Sequence, residues 1–241
     1  MVCKKKNVII FTTDTLHHRY LIKKINYSNR LNLSIILEKK TIKQNFTVGT
    51  IQNSIQTKFE KKYFFNNTPY EIKNKIYNVS NINSSKCIRI IKKIKPKAGV
   101  LFGTGKASKK IINLFKNKLI NIHRGMMQKY RGLDSELWAS YYEDFNSIGT
   151  TIHFVNKYLD KGQIILEKKI KLKKNMRAYQ LRYYTTLFAG NVIVKILEDI
   201  INRRKYKAIK QLTGRYYSVI PFDLKKIAYK NFDNYCSKLY V

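Results

Sequence analysis

The feature that most constrains this chain is an alternation. Short, unbroken apolar runs are separated by stretches whose apolar residues fall at helical spacing. Val8 to Phe11 is the first run, and an unbroken run marks a strand buried on both faces. Thr12 to Thr15 then supplies residues that begin helices, and Leu21, Ile22 and Ile25 recur on one helical face. Leu33 to Leu37 is the second run. Strand, helix, strand in this order predicts a right-handed crossover in a parallel sheet. The pattern returns with a helix over 84–95, a strand at Ala98–Phe102, a turn at Gly103–Gly105, a helix over 106–116 and a strand at Leu119–His123. The polar stretch from 40 to 80 predicts helices at 51–64 and near 69–77. Beyond the fourth run the spacing predicts a loop over 124–134, a helix from Ser135 to Tyr142 and an alternating strand at Thr150–Val155. A turn at Tyr158–Gly162, a strand at Ile164–Leu172 and a long helix capped by Asn175 and ending near Ile201 follow. The fold class is α/β: an open, mostly parallel twisted sheet with helices on both faces.

Composition narrows the function classes. Lys and Arg number 49 against 14 Asp and Glu, a formal net charge of +35. Such a charge attracts polyanions. Its lysines are spread along the whole chain beside many Asn, Ile and Tyr, the usage of an AT-rich coding sequence, so compositional drift is the preferred account of the excess. The three cysteines, Cys3, Cys87 and Cys236, lie far apart and have neither zinc spacing nor a Cys-x-x-Cys pair. Reduced thiols, a cytoplasmic location and no bound metal are the expectations. The N-terminal apolar run is too short for a signal-peptide core, and no stretch approaches a membrane span. From Asn202 onward the chain is basic and aromatic. The expected organisation is a catalytic domain over 1–204 and a basic, aromatic extension over 205–241, whose tyrosines and phenylalanines either cover the core edge or form a homodimer contact.

The fourth apolar run carries the chemistry. Side chains two apart on a strand share a face, so Asn121 and His123 point the same way at the carboxyl end of a central strand. In open α/β sheets that is where ligands bind. An amide there can stabilise a developing oxyanion, and an imidazole can do acid–base work. Asp160, in a turn that could fold back over the sheet, supplies a third group. Each piece alone has a plainer reading: a strand-end histidine is commonly structural, and an aspartate before glycine is commonly a turn residue.

Three segments together resemble a known family. Asn121–Gly132 (NIHRGMMQKYRG) resembles the Asn-x-His motif and Tyr-Arg-Gly loop of the folate-dependent formyltransferases. Ile148–His153 (IGTTIH) resembles their Gly-Val-Thr-Ile-His strand, and Leu159–Ile164 (LDKGQI) their Leu-Asp-Thr-Gly-x-Ile turn. The resemblance implies a Rossmann-like enzyme using 10-formyltetrahydrofolate, with Asn121, His123 and Asp160 as catalytic residues. It implies that Leu101, Phe102, Gly103, Thr104 and Gly105 line the pteridine pocket, and it requires no metal. This chain departs from the pattern at Lys161, where the family has Thr, at Gln128, where it has Pro, and at Met126 and Met127.

The acceptor is read by elimination within the family. The stretch after Ile201 is too short for the tRNA-binding barrel of the methionyl-tRNA enzyme. Thr12 to Thr15 lacks the glycines of the purine enzyme's phosphate loop. Arg131–Trp138 (RGLDSELW) resembles loops of sugar formyltransferases. A nucleotide-linked aminosugar is therefore the expected acceptor, with Arg131 and Gly132 binding it. His17, His18 and Arg19, at a helix start, form a second candidate anion site. His153 is read as orienting its strand and Trp138 as core. The alternatives are formylation of a tRNA-bound or purine-precursor amine, or a nucleic-acid-binding protein without catalysis whose basic and aromatic runs stack bases.

Overall fold

The computed structural model of the protein describes residues 4–39, 45–156, 162–207, 209 and 214–240. The sheet grows outward from β1 (Lys6–Thr12), which pairs in parallel with β2 (Leu31–Glu38) on one side and with β4 (Ala98–Phe102) on the other. β3 (Ile76–Val79) adds in parallel to β2, and β5 (Leu119–His123) adds in parallel to β4. β7 (Gly149–Phe154) and β8 (Ile164–Lys169) complete the sheet as antiparallel strands, giving seven strands in the order β3-β2-β1-β4-β5-β7-β8.

Alternate residues of β1 serve two separate cores. Val8 and Ile10 meet Leu21, Ile22 and Ile25 of α1 (Leu16–Asn26) and Ile193, Ile196 and Leu197 of α6 (Leu181–Ile201). Ile9 and Phe11 meet Cys87 and Ile91 of α3 (Ser85–Ile94) and Ile111 and Ile112 of α4 (Lys109–Leu114). The unbroken apolar run is thus explained: both faces of β1 are covered, and all four residues are 0% exposed.

The segment 69–77 is not a helix. Tyr70 and Ile72 pack against one core and Tyr77 against the other, a period of two. Asn74 donates to the Leu33 carbonyl and to Asn26 Oδ1, and this ties the segment to the sheet edge as the lead into β3. The helix expected over 106–116 begins only after Ser108, whose hydroxyl accepts from the Ile111 N–H. Asn175 does not cap the long helix. It sits at φ 60° with its N–H on the Cys236 carbonyl, and a turn of 3-10 helix at Ala178–Gln180 precedes α6.

The C-terminal segment is built into the molecule. α7 (Phe222–Ser237) packs on α5 (Ser135–Tyr141), and Phe232 and Cys236 join Trp138, Ile148 and Leu181 in a third core. β9 (Arg215–Tyr217) pairs in parallel with β6 (Tyr130–Gly132), a short strand inside the segment expected to be a loop. Trp138 Nε1 donates to the Ser218 carbonyl at 2.8 Å. Tyr217, Tyr229 and Phe232 cover this core edge and Tyr206 packs on the first core, while Tyr216, Tyr235 and Tyr240 stay exposed. No helix among the described residues is long and apolar enough to cross a membrane.

Candidate active site

The chain order reverses between β1 and β4: from β1 it runs to β2 and β3, then returns to β4 on the other side. Crevices form at such switch points, beyond the carboxyl ends of the strands. A cavity of about 470 Å³ opens there. It is lined by His17 and His18 from the start of α1, by residues 101–107 at the end of β4, and by Asn121 to Arg124 at the end of β5. Gly132, Asp134 and Glu136 contribute from the β6–α5 segment, and Tyr216 from β9.

Asn121 and His123 stand on this wall as the strand periodicity requires. β5 and β7 are antiparallel, and their register sets Asn121 directly across from His153. His153 Nδ1 lies 2.9 Å from the Phe154 carbonyl, which can only accept, so that nitrogen carries the proton. Nε2 then presents its lone pair and accepts from the Asn121 amide at 3.0 Å. His153 is 2% exposed and holds the amide in place. His123 Nε2 donates to the Tyr130 carbonyl at 2.9 Å, and Ser135 Oγ lies 3.2 Å from the same nitrogen. The loop after β5 is tied to β7 by Thr151, whose Oγ1 accepts from the Met127 N–H and lies 2.7 Å from the Gly125 carbonyl.

The wall at 101–105 is held from behind. Glu38, buried at the end of β2, accepts the Ile82 N–H on one carboxylate oxygen and the Gly105 N–H on the other, at 3.0 and 2.8 Å. Asn83 donates to the Lys106 carbonyl and accepts the Ser108 N–H. Gly103 has φ +76°, and a side chain there would run into the His18 ring. Thr104 Oγ1 is buried without a hydrogen-bond partner. A backbone-rich wall with an unpaired hydroxyl fits a polar heterocycle such as a pteridine.

The His17 and His18 rings lie against each other, tilted by 38° with centroids 4.0 Å apart. Thr15 Oγ1 lies 2.8 Å from His17 Nδ1, and Thr13 Oγ1 lies 2.9 Å from His18 Nδ1. Burial, aided by the charges of Arg124 and Arg182, pushes His18 down to about 3; burial also holds His17 well below the usual histidine range. Both rings are neutral at physiological pH, so neither offers a positive charge to an anion. Arg19 grips Asp14 through two hydrogen bonds and does not line the cavity. Arg131 is buried with Nε on the Met127 carbonyl and does not line it either, whereas Gly132 does. Asp160 and Lys161 lie outside the described residues. Among the described residues no group of three or more His, Cys, Asp or Glu is arranged to hold a metal ion.

Residues 6–197 match the family model described as formyl transferase. The chain belongs to the formyl transferase family. Methionyl-tRNA formyltransferase of Finegoldia magna is 26% identical over 161 residues, which is 66% of this chain and 51% of that protein. The chain spans about half the length, or less, of the curated relatives it matches. The fold is shared with a 4-N formyltransferase from Francisella tularensis at a TM-score of 0.62 and 18% identity, over 94% of this chain and 87% of that one. It is also shared with the formyltransferase PseJ from Anoxybacillus kamchatkensis, solved with UDP-4,6-dideoxy-4-formamido-L-AltNAc and tetrahydrofolate; the TM-score is 0.52 at 15% identity, over 88% and 86% of the two chains.

Several residues that line the cavity were not singled out from sequence. Arg124 directly follows His123, and Glu136 is the acid in the first turn of α5. They form an ion pair at 2.6 Å. Burial raises the Glu136 carboxyl above the usual range, against the opposing pull of Arg124. Tyr216 reaches the cavity only because β9 pairs with β6, where Gly132 (φ +92°) leaves room for the Tyr217 carbonyl.

Proposed function

We propose that this chain transfers the formyl group of 10-formyltetrahydrofolate to the amine of a nucleotide-linked aminosugar. The observation that carries the reading is the meeting, in one cavity, of Asn121 and His123 with the backbone-rich wall of 101–105. The folate co-substrate supplies the activated formyl group, and the wall at 101–105 holds its pteridine. Negative charge develops on the formyl oxygen as an amine adds, and collapse of that adduct breaks the bond to the folate nitrogen, which takes up a proton and leaves as tetrahydrofolate. The Asn121 amide has two N–H bonds, and His153 fixes its direction, so it can face that oxygen without reorganising. His123 commits Nε2 to Tyr130, which leaves proton exchange with the reacting groups to Nδ1. Asp160 is, by resemblance, the group that favours the charged imidazole and takes the amine's proton.

A sugar acceptor is supported by the similar structures of a sugar N-formyltransferase from Shewanella and of PseJ, each of which is matched over most of its own length and most of this chain. The loop Thr12–Thr15, without glycine, supports it against a purine precursor. The deciding experiment follows tetrahydrofolate release across a panel of nucleotide-linked aminosugars, with His123→Ala and Asn121→Ala as controls. Turnover that both variants lose is expected. Folate binding without turnover on any member of the panel would move the acceptor to another amine. The net charge of +35 and the methionyl-tRNA relatives favour one second reading, an amine carried on tRNA. Formylation of aminoacylated initiator tRNA would identify it.

A further inference from the structure

Acidic residues are scarce in this chain, 14 against 49 basic ones, yet several gather around the cavity. Asp14 holds Arg19, and Glu60 holds Arg182 through two hydrogen bonds of 2.6 and 2.8 Å. Glu136 holds Arg124. Among the lining residues Glu136 pairs with Arg124, Asp134 is offset by Lys106, and His17 and His18 are neutral, so the lining is close to charge balance in a chain of net charge +35. A phosphate gains little there. The exposed Lys106 at the rim is the better phosphate contact.

Glu136 is also incompletely satisfied. It is 4% exposed and lines the cavity. Its Oε1 is on Arg124, while Oε2 is buried without a hydrogen-bond partner. Among the described residues only one other buried side-chain atom lacks a partner, Thr104 Oγ1, and it lines the same cavity. An unpartnered carboxylate oxygen is costly to bury, and a protein tolerates it where a ligand completes it. The missing partner is a donor, because a carboxylate oxygen only accepts.

Building on the formyltransferase reading, we propose that Glu136 sets acceptor specificity: Oε2 accepts a hydrogen bond from an amine or hydroxyl on the acceptor's sugar ring, while the phosphates lie outward near Lys106. A site built around a buried acceptor atom rejects ligands that lack the matching donor, because the atom is then left unpaired. Glu136→Gln is the informative change. Its oxygen can stay on Arg124, and its NH2 then replaces the acceptor at Oε2 with a donor.

The test is calorimetric binding to the full chain, wild type and Glu136→Gln. The probes are TDP- and UDP-linked 4-amino-4,6-dideoxyglucose, bare TDP and UDP, and 5-formyltetrahydrofolate. The wild type is expected to prefer an aminosugar nucleotide over its bare nucleotide by about tenfold or more, and the variant to lose that preference. Folate affinity and melting temperature should hold. A wild-type preference that fades as pH rises through the amine's pKa assigns the contact to the ammonium; one that persists assigns it to a neutral donor, the amine or a hydroxyl. A variant that keeps the preference overturns the proposal. So does a variant that melts lower and weakens for every probe alike, which would make Glu136 structural. A wild type that binds folate but no aminosugar nucleotide would instead remove the sugar reading, and this proposal with it.

Discussion

Asn121 presents its amide through a direction that another side chain sets. The chain Phe154 carbonyl, His153, Asn121 runs across two antiparallel strands, and each link fixes the next. Replacing His153 by Phe keeps the ring's bulk and removes the acceptor for the Asn121 N–H. The expected result is a fall in kcat of about tenfold or more with both KM values nearly unchanged, measured by steady-state kinetics. An unchanged kcat would mean that His153 only packs. The histidine pair predicts a pH dependence of stability. His18 is pushed down to about 3 by burial and His17 well below its usual value, so the unfolded chain binds protons at these sites where the folded chain does not. Stability from this source is complete above about pH 6.5 and is lost as pH falls from there toward His18's value near 3, at up to about 1.4 kcal/mol per pH unit for each ring. Urea unfolding at stepped pH should show this slope, and His18→Asn should flatten it.

Glu38 shows how one side chain on β2 shapes a loop after β4. Both carboxylate oxygens accept backbone N–H groups, from Ile82 and from Gly105. Glutamine at this position must turn its NH2 toward one of those N–H groups. Glu38→Gln should lose about 1–3 kcal/mol by urea unfolding and weaken binding of 5-formyltetrahydrofolate, with the acceptor KM less affected. Equal folate affinity would show that the wall at 101–105 does not depend on this clamp. Elements of this kind were legible in the sequence to different degrees. β1, β4 and β5 were legible because burial on both faces writes itself as an unbroken apolar run, and the shared face of Asn121 and His123 followed from strand periodicity alone. The segment leading into β3 was misread because an edge strand with polar exposure, anchored by Asn74, carries no such run. The capping role given to Asn175 failed because that residue sits at positive φ with its N–H on the Cys236 carbonyl, and a 3-10 turn separates it from α6. Arg131 and Arg19 looked available in sequence, but the Met127 carbonyl and Asp14 engage them. Tyr216 had no local signal, since its place depends on the pairing of strands far apart in the chain.

At the scale of the molecule, the C-terminal segment and the charge act on the same cavity in different ways. Phe232 of α7 is fully buried against the core that carries α5, and α5 carries Glu136. Phe232→Ala should destabilise by about 3–5 kcal/mol in urea unfolding, with one transition for the whole chain. Two separate transitions would mean that the tail and the sheet unfold independently. The charge of +35 works at longer range. Arg124, which lines the cavity, is matched by Glu136, and Arg182 and Arg19 are matched by Glu60 and Asp14, so the excess lies elsewhere on the chain. A field from such an excess raises the local concentration of anionic substrates without touching the reacting atoms. The Debye length is about 10 Å at 0.1 M salt, so surface charges are screened well before a close ion pair inside a cavity is. Raising the salt from about 0.05 M to about 0.5 M should therefore raise KM for a nucleotide-linked acceptor and leave kcat nearly constant. A falling kcat would place uncompensated charge at the reacting centre instead. If the natural acceptor is tRNA, the same titration gives a much steeper loss, because log affinity then falls linearly with log salt in proportion to the phosphates contacted. The slope separates a small anionic acceptor from a polyanionic one before either is identified.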